Sequence, residues 1–394
     1  EDNWKNKMMV SGVFKGIWRK TRSIRECIRR KLSNIGPLGI LWSYKKTIAN
    51  GKKVYVRLMK RYGANTRIYI EHYPGTGDVY ITCALLENYH KMYGLGENYI
   101  VTLVGNSSKK IASLLNIRDT EVLTQQESDD MIRYLCFMGG HIKNTTILHY
   151  GPGVLYTRIL DDLASYNGLD FMTMYMNTVF KDMDWTRDSI RFVEAPNADE
   201  LAREYLDTQN LRLGHTAVLF PYANTIEHLP MEFWEEFARH LREIGFSVCT
   251  NVEPGGVAIP GTTPVFVPYS VLANFVELAG TVVGLRSGVF DILAHANCRK
   301  YILYPTPNYF KFGVGSIMDY FSLIDMGIGE KIDEYEFERI YVKECFKCVF
   351  FDICNNSGVT VPNGIYDRNG DYSHPELFVF HKYSTKEIAT DGSR

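Results

Sequence analysis

No run of 18 or more apolar residues occurs in this chain, so it offers no segment that reads as a membrane-crossing helix, and nothing at its start reads as a secretory leader. Net charge is nearly absent as well, with 44 Lys and Arg against 45 Asp and Glu. No recognised nucleic-acid-binding module accompanies the basic residues, which argues against nucleic acid as a partner. Eight cysteines are scattered as Cys27, Cys83, Cys136, Cys249, Cys298, Cys345, Cys348 and Cys354. The Cys345 and Cys348 pair with nearby Cys354 falls short of the four ligands of a structural zinc site. No metal site is expected, and several thiols sit in apolar patterns like the reduced core thiols of a cytosolic protein. The first residue is Glu1 rather than Met, as in a piece of a longer protein.

With 45% hydrophobic and 23% charged residues, the composition is that of a globular protein and excludes a disordered or fibrous chain. At 394 residues the chain is longer than one core comfortably serves, so two domains are the expectation. Its charge is unevenly spread. Residues 1–60 carry sixteen Lys or Arg, among them Lys15, Arg19, Lys20, Arg22, Arg25, Arg29, Arg30 and Lys31, against Glu1, Asp2 and Glu26. Met9, Val10, Val13, Phe14, Ile17 and Trp18 give this stretch apolar contacts at helical spacing. Two readings stand side by side: residues 5–31 lie on an anionic membrane surface as a basic amphipathic helix, or the basic face packs on protein.

From about Thr66, short β-rich runs alternate with helical patterns, as in a parallel sheet with crossover helices. The strands expected in the first half are Arg67–Glu71, Tyr99–Val104, Glu121–Thr124 and Thr145–His149. In the second half they are Thr216–Phe220, Ser247–Asn251, Pro264–Val267, Thr281–Gly284 and Lys300–Tyr304. The fold class expected is therefore α/β, two Rossmann-like domains behind a basic, helical N-terminal extension. The domain limits are 1–60 for the extension, 61–200 and 210–330 for the two Rossmann-like units, and 331–394 for a tail without clear period. Sheets of this kind bind ligands beyond the carboxyl ends of their strands.

Two turns stand out. In HYPGTGDVYITCALLENY, His72 to Tyr89, a strand runs into Gly75, Thr76, Gly77 and Asp78 before a helix. Glycines there let the backbone approach a ligand, and the helix start favours an anion. Asp78 is either a carboxylate at the floor of a cleft or an N-cap. In the second half, Thr281–Gly284 delivers Arg286, Ser287, Gly288 and Val289 to a helix start, a diphosphate cradle by residue type. The alternative is a Ser-capped helix with Arg286 in a surface ion pair, Asp291 lying one turn in. Tyr222, Asn224 and Thr225, after the strand Thr216–Phe220, offer further groups for phosphate or sugar oxygens. His141 and His149 are candidates for the acceptor side, each with a structural role as its alternative.

These segments, in this order, resemble the ADP-heptose lipopolysaccharide heptosyltransferases and their relatives among glycosyltransferases of the two-lobed GT-B class. The similarity spans roughly Arg67 to Pro307 and is one of pattern. Gly77, Asp78 and Val79 are similar to the family's GDV-type turn, Pro221 through Pro230 to its second-domain opening, and Arg286, Ser287 and Gly288 to its D-S/T-G turn. The resemblance implies an inverting transfer of sugar from a nucleotide-sugar to a hydroxyl of a glycan or lipid-linked acceptor in bacterial surface polysaccharide synthesis. Asp78 would be the catalytic base, and Arg286, Ser287, Gly288 and Val289 would receive the diphosphate. Gly75, Thr76 and Gly77 would lie on the acceptor side. The two turns would face each other across a cleft.

No cofactor is called for, and no DxD-like pair stands at a strand end, since Asp161 with Asp162 and Asp129 with Asp130 lie in helical or loop patterns. The location implied is cytoplasmic, at the inner face of the plasma membrane. Departures from the family are the lysine missing near Glu227 and His228, Arg286 in place of an acid, and Asp291 near the place of a histidine. They keep rivals open: a non-catalytic GT-B-like subunit bound to a partner transferase, a nucleotide-sugar epimerase, or a polysaccharide pyruvyl transferase.

Overall fold

A computed structural model describes residues 36–115, 117, 119–139, 141–149, 170–180, 183–187, 190, 195–224, 226, 228–306, 317–338, 342–359 and 381–384. The segment 5–31, with its expected membrane role, lies outside them. The chain forms two compact units, one from the sequence up to Thr66 with Leu123–Thr145, the other from Arg67–Val122 with Thr146–Arg394.

In the smaller unit, helix α1 (Gly36–Tyr62) packs on a helix formed by Gln125–Met138. Tyr44 meets Phe137, Gly51 meets Asp130, and Arg57 meets Glu127, so the two helices run antiparallel. Gly51 is required by the closeness of the crossing: a β-carbon there would collide with the Asp130 carbonyl and approach Tyr134 Cβ to 2.7 Å. The Gln125–Met138 helix is stopped and started by its own sequence. Thr124 and Glu127 form a reciprocal capping box at its start, and Gly139 closes its end in the left-handed conformation at φ 57°.

The larger unit holds two sheets. Strands β1 (Arg67–Glu71), β2 (Tyr99–Val104), β3 (Thr120–Leu123) and β4 (Thr145–His149) form the first, in the order β3-β2-β1-β4. β1 and β2 are parallel, with Arg67 opposite Tyr99. The second sheet contains β5 (Thr216–Phe220), β6 (Ser247–Asn251), β7 (Thr263–Val265), β8 (Gly280–Leu285), β9 (Arg299–Thr306), β10 (Ile332–Glu338) and β11 (His381–Ser384). Its order is β11-β10-β9-β8-β5-β6-β7. Apart from β11, which is antiparallel to β10, its strands pair in parallel.

Strands β5 to β10 thus take the 3-2-1-4-5-6 order of a doubly wound sheet, whose direction of winding reverses between β5 and β8. The first sheet repeats the same beginning, with its reversal between β1 and β4. β5, Thr-Ala-Val-Leu-Phe, is buried at every position. Such continuous burial is what a central parallel strand needs on both faces, and each large apolar side chain contributes roughly 1.5–3 kcal/mol. Strand β10 falls inside the stretch for which the sequence shows no period, and it joins the second sheet beside β9.

The helices between the strands are α2 (Thr76–Tyr93), α3 (Gly105–Leu114), α4 (the Gln125–Met138 helix), α5 (Phe171–Thr178), α6 (Ala198–Thr208), α7 (Met231–Glu243), α8 (Tyr269–Ala279), α9 (Gly288–Leu293), α10 (Ile317–Phe321) and α11 (Val342–Ser357). Several begin or end a few residues from the expected limits. α2 starts at Thr76 rather than Val79, because Gly75 serves as its N-cap at φ −71°, ψ 131°. No helix among the described residues is long and apolar enough to cross a membrane.

Candidate functional site

Both turns singled out in the sequence lie at the reversal points of the sheets, where a doubly wound fold leaves room beyond its strand ends. β1 ends in Glu71 and passes through His72 to Thr76 into α2. Asp78 is the third residue of that helix, not its N-cap. Its carboxylate folds back over the α-carbon of Gly75, beside the Tyr73 ring, where a side chain at position 75 would collide with it. Behind it sits Glu71, 1% exposed, which accepts hydrogen bonds from Thr82 Oγ1 at 2.8 Å and Tyr73 N at 3.2 Å. Thr82 Oγ1 also lies 2.6 Å from the Asp78 carbonyl oxygen, tying the strand end to the first turn of the helix.

The second turn is built differently. β8 ends in Leu285, and Arg286 follows with 6% of its surface exposed, so the ion pair the sequence offered at the surface is buried. Its Nη2 donates to Asp291 Oδ1 at 2.7 Å and its Nη1 to Asp291 Oδ2 at 2.9 Å. Nη1 also donates to the Ser287 carbonyl at 2.7 Å, and Nε to the Phe321 carbonyl at 2.9 Å. A phosphate ligand would therefore have to compete with the four hydrogen bonds the guanidinium already makes. Ser287 holds the N-cap position of α9 without making a side-chain cap bond.

A buried network continues from there. Tyr304 donates to Glu334 Oε1 at 2.6 Å, Ser322 Oγ to Oε2 at 2.6 Å, and Leu323 N to Oε1 at 2.8 Å. The Phe321 carbonyl joins the two sets, taking Arg286 Nε and lying 3.1 Å from the Tyr304 hydroxyl.

The two turns are in direct contact. A β-carbon on Gly77 would strike the Asp291 carboxylate and come 3.1 Å from Gly288 Cα. One on Gly288 would strike Gly77 N and come 2.9 Å from Thr76 Cβ. The expected gap between them is thus closed at this point, and both glycines are needed because backbone meets backbone.

Electrostatics divide the acids. Burial, reinforced by the Asp291 charge and partly offset by its own backbone N–H and by Arg286, raises Asp78 to about 7. Burial pushes Glu71 well above the usual carboxylate range, with the Thr82 bond opposing and the Asp78 charge adding. Burial also raises Asp291, against the pull of Arg286. It raises Glu334 despite the donors around it. For Arg286, burial works against the charge but Asp291 outweighs it, so the guanidinium stays ionised.

The remaining expected residues are less gathered. Tyr222 and Asn224, at the exit of β5 next to β8, are exposed, and the Tyr222 hydroxyl donates to the Val257 carbonyl at 2.7 Å. Thr225 lies outside the described residues. His141 is exposed and belongs to the smaller unit, whereas His149 ends β4, beside β1. Asp129 and Asp130 are in α4, as their pattern indicates. Among the described residues no group of three or more His, Cys, Asp or Glu is placed to hold a metal. The sequence reading missed Glu71 and Glu334. The signal for Glu71 was an acid closing the apolar strand Arg-Ile-Tyr-Ile-Glu. Glu334 lay in a segment whose strand character alternating acids had hidden.

No protein-family model matches the chain, and no curated protein matches its sequence. Among solved structures, it is similar to a glycosyl transferase family 9 protein of Veillonella parvula, at 14% identity and TM-score 0.45, over 77% of this chain and 92% of that one. It is similar to ADP-heptose lipopolysaccharide heptosyltransferase II of E. coli, at 13% identity and TM-score 0.45, over 68% and 90%. A third likeness is to an E. coli heptosyltransferase solved with ADP, at 12% identity and TM-score 0.38, over 74% and 100%. The solved structures it resembles are glycosyltransferases. These likenesses are distant, and the functional reading rests on the residues themselves.

Proposed function

We propose that the chain is a glycosyltransferase of GT-B architecture that moves a sugar from a nucleotide-sugar to an acceptor hydroxyl with inversion and without a metal. The observation that carries the reading is the contact of Thr76 and Gly77, next to Asp78, with Gly288 beyond the strand ends of two sheets wound alike. A carboxylate poised near neutrality suits a general base. It would take the proton of the acceptor hydroxyl as that oxygen attacks the anomeric carbon. The leaving nucleoside diphosphate would be held by the Ser287 hydroxyl, the backbone at Gly288 and Val289, and Tyr222, Asn224 and Thr225. Arg286, whose donors are engaged, holds the turn in shape. Gly75, Thr76, Gly77 and His149 would line the acceptor side. The acceptor class is a glycan or lipid-linked hydroxyl of a bacterial surface polysaccharide.

In this reading Asp78→Asn abolishes transfer while donor binding, followed by calorimetry, is retained; full activity would remove Asp78 from the mechanism. The basic segment 5–31 would hold the enzyme against an anionic membrane. Removing residues 1–35 should then weaken sedimentation with phosphatidylglycerol vesicles, and unchanged binding would exclude that role.

The engaged guanidinium and the closed contact between the turns favour a second reading, a non-catalytic subunit that stabilises a partner transferase. Such a subunit turns over no nucleotide-sugar.

A further inference from the structure

Helix α1 commits one face to packing and leaves the other exposed. Gly51 and Tyr55 meet Asp130 and Tyr134 of α4, and Val54 and Leu58 are buried on the same side. On the opposite side Lys45, Ala49, Lys52, Lys53, Val56 and Lys60 are exposed. Steps of three or four residues, with Lys53 beside Lys52, put these six in one stripe along the helix. At 1.5 Å per residue the stripe is about 22 Å long.

This 27-residue helix carries seven Lys or Arg and neither Asp nor Glu. A solvated helix is steadied by acids set four residues from its bases, whereas like charges at that spacing repel. Here Lys53 stands four residues before Arg57, and Arg57 four before Arg61. Arg57 is offset by Glu127 of α4, and Lys60 and Arg61 complement the carbonyl end of the helix dipole. Nothing comparable accounts for Lys45, Lys52 and Lys53, which form no hydrogen bond or ion pair among the described residues. The face therefore presents an uncompensated positive field whose complement is an anionic partner. Ala49 and Val56 set apolar surface between the lysines, and an open groove of about 730 Å³ beside them leaves room for part of a lipid.

We propose that the exposed face of α1 is a docking surface for an anionic phospholipid bilayer. Its lysine ammonium groups reach the headgroup phosphates on long apolar stems, and Ala49 and Val56 face the headgroup layer between them. A bilayer fits this stripe better than a nucleic acid does, because the stripe has apolar residues at its centre and no aromatic ring on which a base could stack. The surface is separate from segment 5–31, and it requires neither Asp78 nor turnover.

The test is sedimentation of the full chain with vesicles of phosphatidylcholine, alone or mixed equally with phosphatidylglycerol, using two pairs of substitutions that remove the same charge. A basic residue near such a surface strengthens partitioning about fivefold. Lys52→Gln with Lys53→Gln should therefore lower the partition coefficient on the mixed vesicles about 25-fold. What binding is left should weaken further as salt is raised. Lys109→Gln with Lys110→Gln, on the exposed part of α3, should change it less than about twofold. Neutralising Lys52 and Lys53 relieves repulsion within α1, so the melting temperature should hold or rise. Were that variant to unfold, Lys45→Gln with Lys60→Gln must show the same fall in binding. Equal losses from the α1 and α3 pairs, a wild-type chain indifferent to phosphatidylglycerol, or tighter binding to a duplex oligonucleotide than to the vesicles overturns the proposal. Were segment 5–31 alone to hold the chain, binding would be unchanged by Lys52→Gln with Lys53→Gln, which overturns this proposal and leaves that reading standing.

Discussion

The turn that follows β1 and the turn that follows β8 share a backbone plan of strand, glycine-bearing bend and helix, yet they treat their acids in opposite ways. After β8, Asp291 is closed on Arg286 through two bonds and the guanidinium spends its other donors on backbone carbonyls. After β1, Glu71 and Asp78 lie together, and burial raises both. One turn is an ion pair locked into a frame, whereas the other stores proton affinity. A repeated scaffold therefore does not repeat its chemistry; the side chains at the strand ends decide it.

The comparison can be broken most severely where the turns touch. Gly288→Ala drives a methyl group into Gly77 N, a backbone atom with no rotamer to yield, and should cost about 1–3 kcal/mol or more in urea unfolding. A neutral outcome would show that the turns are not in contact in solution.

A smaller effect sharpens the contrast between the acids. Glu71 is raised in the folded state, so its contribution to stability is full below its ordinary pKa and is lost as pH climbs toward the folded value. Melting temperature should therefore decline from pH 5 to pH 8. Glu71→Gln, which cannot ionise, should flatten that decline, leaving the share of Asp78 and Glu334, which are raised too. An unaltered slope would mean that Glu71 is solvated.

The smallest effect is the control for the buried pair. Arg57 and Glu127, joined at 2.7 Å across α1 and α4, are both substantially exposed. Arg57→Ala should change stability by only about 0–1 kcal/mol, with much of that lost in high salt. A larger loss would remove the distinction drawn between the two ion pairs.

Much of this arrangement could be read before the fold was known. Period-two and continuous apolar runs located β1, β2, β4, β5 and β6 at their observed limits, because parallel strands buried on both faces write their burial directly into composition. The ends of β3, β7, β8 and β9 differ by one or two residues: pairing with neighbours carries β8 and β9 past their apolar cores, whereas β3 and β7 begin one residue early and stop short of the expected ends. Strand β10 escaped because Asp333, Glu334 and Glu336 mask its pattern; Glu334 is tolerated inside only because Tyr304, Ser322 and the Leu323 N–H all donate to it.

At the site, the glycines and Asp78 were conspicuous as residue types. The engagement of Arg286 was visible only as one of two options, because a spacing of five residues allows a pair without requiring it. Glu71 became meaningful only when Thr82 and Tyr73 were found around it.

The account depends most on the claim that the meeting of these turns is a nucleotide-sugar site with Asp78 as its base. Incubation of the protein and of Asp78→Asn with a panel of nucleotide-sugars, following release of nucleoside diphosphate by chromatography, tests this directly. The account predicts slow donor hydrolysis from one member of the panel by the wild-type protein, rising through about pH 7 and lost in Asp78→Asn. No turnover of any donor, or equal turnover by the two proteins, would contradict it.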